Sequence, residues 1–322
     1  MWAAVAILSC LLPSAAAAGR LLSSRRAAKV DHVYGPDIYS AFGSAFNEHR
    51  PVVATTLGYQ KCGTTMIYSV LKLHPDVIGP SPKELHYLAG PEATTQCSKQ
   101  GPALSFQEYF DDCFAGQRPQ AGQVARDFTP TYGTIQFISD FDKNVKALNE
   151  SETVFRFIAV LREPASRATS AISMRRKNNE GEWGNATDFD LDVALWDRLQ
   201  ERREDGNGSR FITDGEYVTP LARWLETNPR DSLLVLNRNH LSTIPTWIRI
   251  FRHLGLRVPS DKSIRKMIRA ANLHYTEMQM EKYSETQTAQ YSANSLLMHS
   301  LHAHYEPYNQ KLWELLGTPA WW

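Results

Sequence analysis

The chain has 322 residues, with 35 basic against 34 acidic side chains and a net charge of +1. Its 43% apolar content is enough for a sizeable core, which excludes a disordered chain, a collagen-like repeat and a disulfide-dense mini-domain. The balanced charge speaks against a nucleic-acid partner, and no apolar run after residue 30 reaches the roughly 20 residues that cross a bilayer.

Residues 1–18 are apolar and uncharged and read as a signal peptide or short signal anchor, with small residues leading to a cleavage point after Ala18. A membrane contact of the chain would come through this segment. The alternative is a transit peptide to a plastid or other organelle, because Arg20, Arg25, Arg26 and Lys29 all precede the first acid, Asp31. Residues 19–48 read as a polar stem, and 49–322 as one domain. Sequons at Asn149, Asn185 and Asn207 favour the secretory pathway. Cys97 and Cys113 flank a loop-like segment; a disulfide and two free thiols both remain open.

The β-branched run 51–57 predicts a buried strand, followed by a turn over 58–65 and a helix over 66–73 that His74-Pro75 ends. A short aromatic helix is expected over 106–114. The run 154–161 predicts a second buried strand, followed by a turn and a helix to about Lys177 with Pro164 at its first position. Residues 178–188 read as a polar loop. Helices are expected over 189–203, 244–254 and 296–316, and a short strand over 233–236. Alternating strands and helices imply a single α/β domain, P-loop-like, whose central parallel sheet has helices on both faces.

The most informative segment is Leu57-Gly-Tyr-Gln-Lys-Cys-Gly-Thr-Thr65. A strand that runs through a glycine-bounded turn into a helix gathers backbone N–H groups around one point, an anion site. Lys61, Cys62, Gly63, Thr64 and Thr65 are the candidate ligands. It is not a Walker A loop, since that motif puts lysine directly after the second glycine, whereas Lys61 stands two residues before Gly63. A nucleotide kinase or NTPase reading loses its main support there. A second strand–turn–helix, Ala159 to Ala171, offers Arg162 at a strand's carboxyl end, with Arg167 and Ser170 on the following helix. An arginine fork and a hydroxyl in that place suit a second phosphate.

As a pair these segments resemble the sulfotransferases that use 3′-phosphoadenosine-5′-phosphosulfate (PAPS). In that family a K-x-G-T-T-type loop grips the 5′-phosphosulfate and an L-R-x-P-x-x-R-x-x-S segment grips the 3′-phosphate. Leu73-His-Pro-Asp-Val77, Lys83-Glu-Leu-His-Tyr-Leu88 and Tyr305-Glu-Pro-Tyr-Asn309 are similar to the Golgi glycosaminoglycan branch. The resemblance spans 51–322 and implies PAPS as co-substrate, no metal, the Golgi lumen and an anionic or neutral glycan acceptor. Three features depart from the branch, the first being that its paired late cysteines are missing. Phe128 stands where the branch often has an acceptor-site lysine, and the late K-G-R cofactor loop is degenerate as Glu281-Lys282-Tyr283, leaving Lys282 as the candidate contact.

In-line sulfuryl transfer needs stabilised charge on the departing oxygen and a base for the acceptor. The resemblance gives Lys61 the first role and Glu84 the second, with His86 assisting. His302 and His304 are two apart on a helix and point away from each other, which rejects a metal site there. Basic clusters at Arg175–Lys177 and at Arg198, Arg202 and Arg203 could attract a polyanion. A small-molecule sulfotransferase and a non-catalytic glycan-binding relative stay open as alternatives.

Overall fold

A computed structural model describes residues 51–80, 82–90, 97, 105–149, 154–178, 181–205, 209–282 and 291–322. The leader, the stem and the sequon at Asn207 lie outside them. The elements run β1 (Val52–Gly58), α1 (Thr64–Lys72), β2 (Val77–Ile78), α2 (Phe106–Cys113), β3 (Val124–Asp127), α3 (Ile138–Asn149), β4 (Val154–Leu161) and α4 (Pro164–Lys177). They continue with α5 (Asp188–Asp205), α6 (Arg210–Thr213), α7 (Val218–Thr227), β5 (Leu233–Asn237), α8 (Ile244–His253), α9 (Asp261–Lys282) and α10 (Ser295–Leu316).

The five strands form one all-parallel sheet in the order β2-β3-β1-β4-β5. β1 lies at its centre, so its VVATTLG run is buried on both faces, as an apolar β-branched strand requires. β4 carries VFRFIAVL beside it. Neighbouring residues of β3 show that both faces are covered. Arg126 turns to Tyr68 of α1, 4.5 Å from the ring centroid, and Asp127 turns the other way to the hydroxyl of Tyr109 on α2. Phe157 of β4 packs against Phe141 of α3 and Trp224 of α7. A second, smaller core joins α4, α5, α6 and α10 through Ala168, Ile172, Leu195, Ile212, Leu301 and Tyr305. Three hydrogen bonds help tie this region together: Arg202 grips Glu216 at 2.8 and 2.6 Å, and His304 reaches the same carboxylate at 3.1 Å.

Cys97 and Cys113 are joined in a disulfide with Cα atoms 4.6 Å apart, which settles the pairing left open above. Elements not expected from the sequence are β2, β3, α3, α6, α7 and α9. β2 has two residues, too few for any periodicity. β3 ends in Arg126-Asp127, both buried, where a charged pair reads as a loop. α9 does carry a helical signal, since Ile264, Met267, Ile268 and Ala271 recur at i, i+3, i+4 and i+7 and all are buried.

Candidate active site at the carboxyl edge of the sheet

Parallel strands deliver their carboxyl ends to one edge. The chain leaves β1 toward β3 and β2 on one side, and β4 and β5 extend the other side, so the order reverses between β1 and β4. Ligands of open α/β sheets bind at such a switch point. The Lys61 loop and Arg162 meet there: the Arg162 guanidinium donates to the Lys61 carbonyl at 3.3 Å.

The loop between β1 and α1 is shaped by backbone demands. Gly58 has φ 124°, and a Cβ there would lie 2.6 Å from the Pro130 carbonyl oxygen. Gly63 has φ 106°, and its Cβ would lie 2.8 Å from Leu241 Cδ1, so only glycine fits. Lys61 itself sits at φ 68°, in the left-handed region that a lysine rarely adopts. Gly63 precedes α1 with no side-chain cap and no acid follows in the first turn. The N–H groups of Gly63, Thr64 and Thr65 take no hydrogen-bond partner among the described residues. They are the donors an anion would meet, at the positive end of the helix dipole.

Cys62 shapes this cradle from within. Its N–H donates to the Tyr59 carbonyl at 3.1 Å, and its thiol lies 3.4 Å from the Tyr217 hydroxyl. Burial pushes that thiol pKa up, so it stays neutral. Tyr217 in turn donates to the Arg162 carbonyl at 2.9 Å, linking the two turns.

Lys61 is mostly buried, and its pKa falls from the usual range to about 8. Burial is the main cause, followed by the charges of Lys177, Arg162, Arg238 and Lys83. Lys61, Arg162 and Arg238 follow β1, β4 and β5, Lys83 follows β2, and Lys177 ends α4. Arg238 is the residue after β5, and its position at a strand's carboxyl end is the signal that sequence reading passed over. Lys177, expected as part of a surface cluster, instead acts on Lys61. Ser170 is half-buried on α4, seven residues before Lys177 and so on the same helix face. Arg167 leaves that face: it is fully buried and donates to the carbonyls of Arg210 and Phe211.

Glu84 and His86 stand on the segment after β2. The Lys83 ammonium meets Glu84 Oε1 at 2.5 Å, and His86 Nε2 faces Oε2 at 3.6 Å. Burial acts to raise the Glu84 pKa, but the hydrogen bond from His86 and the charge of Lys83 outweigh it and hold the carboxyl at about 2. A carboxylate so well satisfied is a weak proton acceptor while Lys83 stays on it. The His86 backbone donates to Thr129 Oγ1 at 3.1 Å, and Thr129 donates to Asp127 at 3.0 Å. Asp127 also accepts from Tyr109 at 3.0 Å and Tyr132 at 2.7 Å. Burial lifts its pKa to about 6 against the pull of those three hydroxyls. None of this network was expected. Phe128, noted above in place of a lysine, is fully buried in the core.

Lys282 is the last residue of α9, and 283–290 beyond it lie outside the described residues. His302 and His304 reach different carboxylates, Glu163 at 3.5 Å and Glu216 at 3.1 Å.

No family model matches the chain. Over 200 residues, 59% of the chain, it is 28% identical to the bifunctional heparan sulfate N-deacetylase/N-sulfotransferase 2 of Bos taurus. The match spans only 20% of that relative's length. Among solved structures, the sulfotransferase from Alicyclobacillus acidocaldarius is similar with a TM-score of 0.55 at 18% identity, over 83% of this chain and 96% of that one. Both relatives are sulfotransferases, the family that the two motifs resemble.

Proposed function

We propose that this chain, which has the sulfotransferase fold, moves a sulfuryl group from PAPS to a hydroxyl or amine of a glycan. The observation that carries the reading is one loop where Arg162 bonds the Lys61 carbonyl, the charges of Lys177 and Arg238 act on Lys61, and the helix N-terminus has three N–H groups unpartnered among the described residues. Four cations and those donors make a site for a multiply charged anion, and a donor with phosphates at two positions fits it.

PAPS supplies the activated sulfuryl group. The Gly63–Thr65 N–H groups and Lys61 receive its 5′ end, and Lys61 offsets the charge that grows on the departing oxygen. Arg162 holds the 3′-phosphate, with Ser170 beside it. Glu84 takes the acceptor proton. It becomes a stronger base when Lys83 turns from it toward the anionic donor, because one of the two contacts holding its pKa down is then released while His86 stays. His86 orients Glu84, and Asp127 fixes the His86 backbone through Thr129.

A glycan acceptor is supported by the bovine relative, whose name carries heparan sulfate. The secretory pathway is supported by the Cys97–Cys113 disulfide, which suits an oxidising compartment, and by the exposed Asn185 sequon.

The test is calorimetric titration with 3′-phosphoadenosine-5′-phosphate (PAP), the desulfated donor, with ATP and adenosine-5′-phosphosulfate as controls. Tight binding that needs the 3′-phosphate is the expected result; no binding, or a preference for ATP, would sink the reading. Glu84→Gln should then keep PAP affinity and suppress transfer. Transfer that persists would move the base elsewhere.

A further inference from the structure

We propose that the N-terminal half of α9 is a docking surface for a polyanionic glycan, apart from the cradle. Lys262, Arg265, Lys266 and Arg269 are all exposed and stand at i, i+3, i+4 and i+7. One helix face therefore carries four positive charges over about 10 Å. The opposite face, Ile264, Met267, Ile268 and Ala271, is buried in the main core and fixes the presentation.

In the other basic clusters several cations already have an acidic partner. Arg176 meets Asp188 at 2.5 Å, Arg198 meets Glu201 at 2.7 Å and Arg202 meets Glu216 at 2.6 Å. None of the four α9 cations forms an ion pair among the described residues. Asp261 stands at the helix start, where the dipole favours it, and Asp76 is met by Arg257 at 3.8 Å. In a chain of net charge +1, these four are an uncompensated excess.

Two grooves flank the stripe. One, of about 640 Å³, brings Arg257, Ser260 and Ser263 beside Lys266. The other, of about 410 Å³, brings Ser242 and Thr243 beside Arg265 and Arg269. Both thus set hydroxyls next to cations, which suits a chain bearing anionic and hydroxyl groups in alternation. The second groove begins at Ser242, directly after Leu241, the residue that closes on Gly63. A chain lying along α9 would reach the neighbourhood of the cradle.

The lining favours a glycan over the other polyanions. Neither groove is lined by a Phe, Tyr or Trp ring on which a nucleobase could stack, and the His74 imidazole beside the first groove is buried. The apolar face of α9 is packed inward, so it cannot enter a lipid surface. The inference rests on the reading of the acceptor as a glycan; it does not depend on the donor.

The experiment compares the full chain with the quadruple variant Lys262→Gln/Arg265→Gln/Lys266→Gln/Arg269→Gln. Binding of a heparin dodecasaccharide is measured against salt, beside neutral dextran, a thymidine oligonucleotide and phosphatidylserine vesicles. The variant should lose at least tenfold in heparin affinity and about 3 in the slope of log affinity against log salt, with PAP affinity unchanged. A variant that exchanges each Lys for Arg and each Arg for Lys should keep heparin affinity, and its loss there as well would overturn a charge-based surface. Unchanged heparin affinity in the quadruple Gln variant overturns the proposal, as does tighter binding of the oligonucleotide or vesicles than of heparin. A chain that binds no PAP but keeps the heparin contrast would remove the donor reading and leave this surface standing.

Discussion

β1–α1 and β4–α4 are the same device, a strand that turns into a helix at the carboxyl edge of the sheet, yet their helix ends are finished differently. α4 is closed by its own chain: the Glu163 carboxylate accepts from the N–H groups of Ala165 at 2.8 Å and Ser166 at 2.7 Å. α1 begins at a glycine with no cap, and its first N–H groups stay unpartnered among the described residues. The second unit already holds an anion, a residue of the protein; the first is left for one that comes from outside. On the proposed function the two ends of the donor would be held by different means, one by backbone dipoles and a lysine, the other by side chains, Arg162 and Ser170.

The largest expected break in this comparison is Lys61→Ala. Turnover should fall about a thousandfold, the scale of losing a key transition-state donor, while thermal unfolding stays near wild type. Near-normal turnover would remove Lys61 from the reaction. Arg162→Ala comes next, with PAP affinity down roughly 10- to 100-fold for a lost charged hydrogen bond and the acceptor KM unchanged. Equal loss for both ligands would contradict a role in holding the 3′-phosphate.

The third effect is one of pH. The Lys61 pKa is lowered to about 8 in the free protein, and an anion in the cradle favours the charged form and raises it again. Binding therefore takes up a proton above pH 8, and PAP affinity should fall by up to about tenfold per pH unit there. Titrations in buffers of different ionisation enthalpy read that proton directly, and Lys61→Met should abolish it. The smallest effect is on the closed unit. Glu163→Ala removes a cap worth about 1 kcal/mol, seen as a lower midpoint in urea unfolding with turnover nearly kept. A Glu163→Ala loss as large as that of Lys61→Ala would mean the two helix ends do not divide the work as described.

Both units were legible in the sequence because each is local: an apolar strand, a glycine or proline at the turn, an apolar helix face. Arg162 and Lys61 could be paired by motif, and the edge of the sheet brings them together. What was not legible depends on side-chain direction or on contacts between distant segments. Asp127 reads as a loop acid until Tyr109, Tyr132 and Thr129 are seen to donate to it. Arg167 sits in the family motif, yet its guanidinium faces carbonyls 43 and 44 residues away. The weak basicity of Glu84 comes from Lys83 and His86, both next to it in sequence, but charge balance at a carboxylate is set by side-chain direction, which a motif does not carry.

The central place of β1 also shapes how the domain is made. Among the described residues β1 leads the strands in chain order, and its partners on both sides come much later; the Thr56 hydroxyl, for one, bonds the Ile158 carbonyl 102 residues on. A growing chain therefore carries seven unpaired strand residues until β3 and β4 have emerged. Parallel pairing of this kind is slow, and it leaves apolar backbone open to other chains in the interval. A nascent chain stopped before Val154 should need a chaperone to stay soluble, whereas one that extends past Leu161 can close both sides of β1.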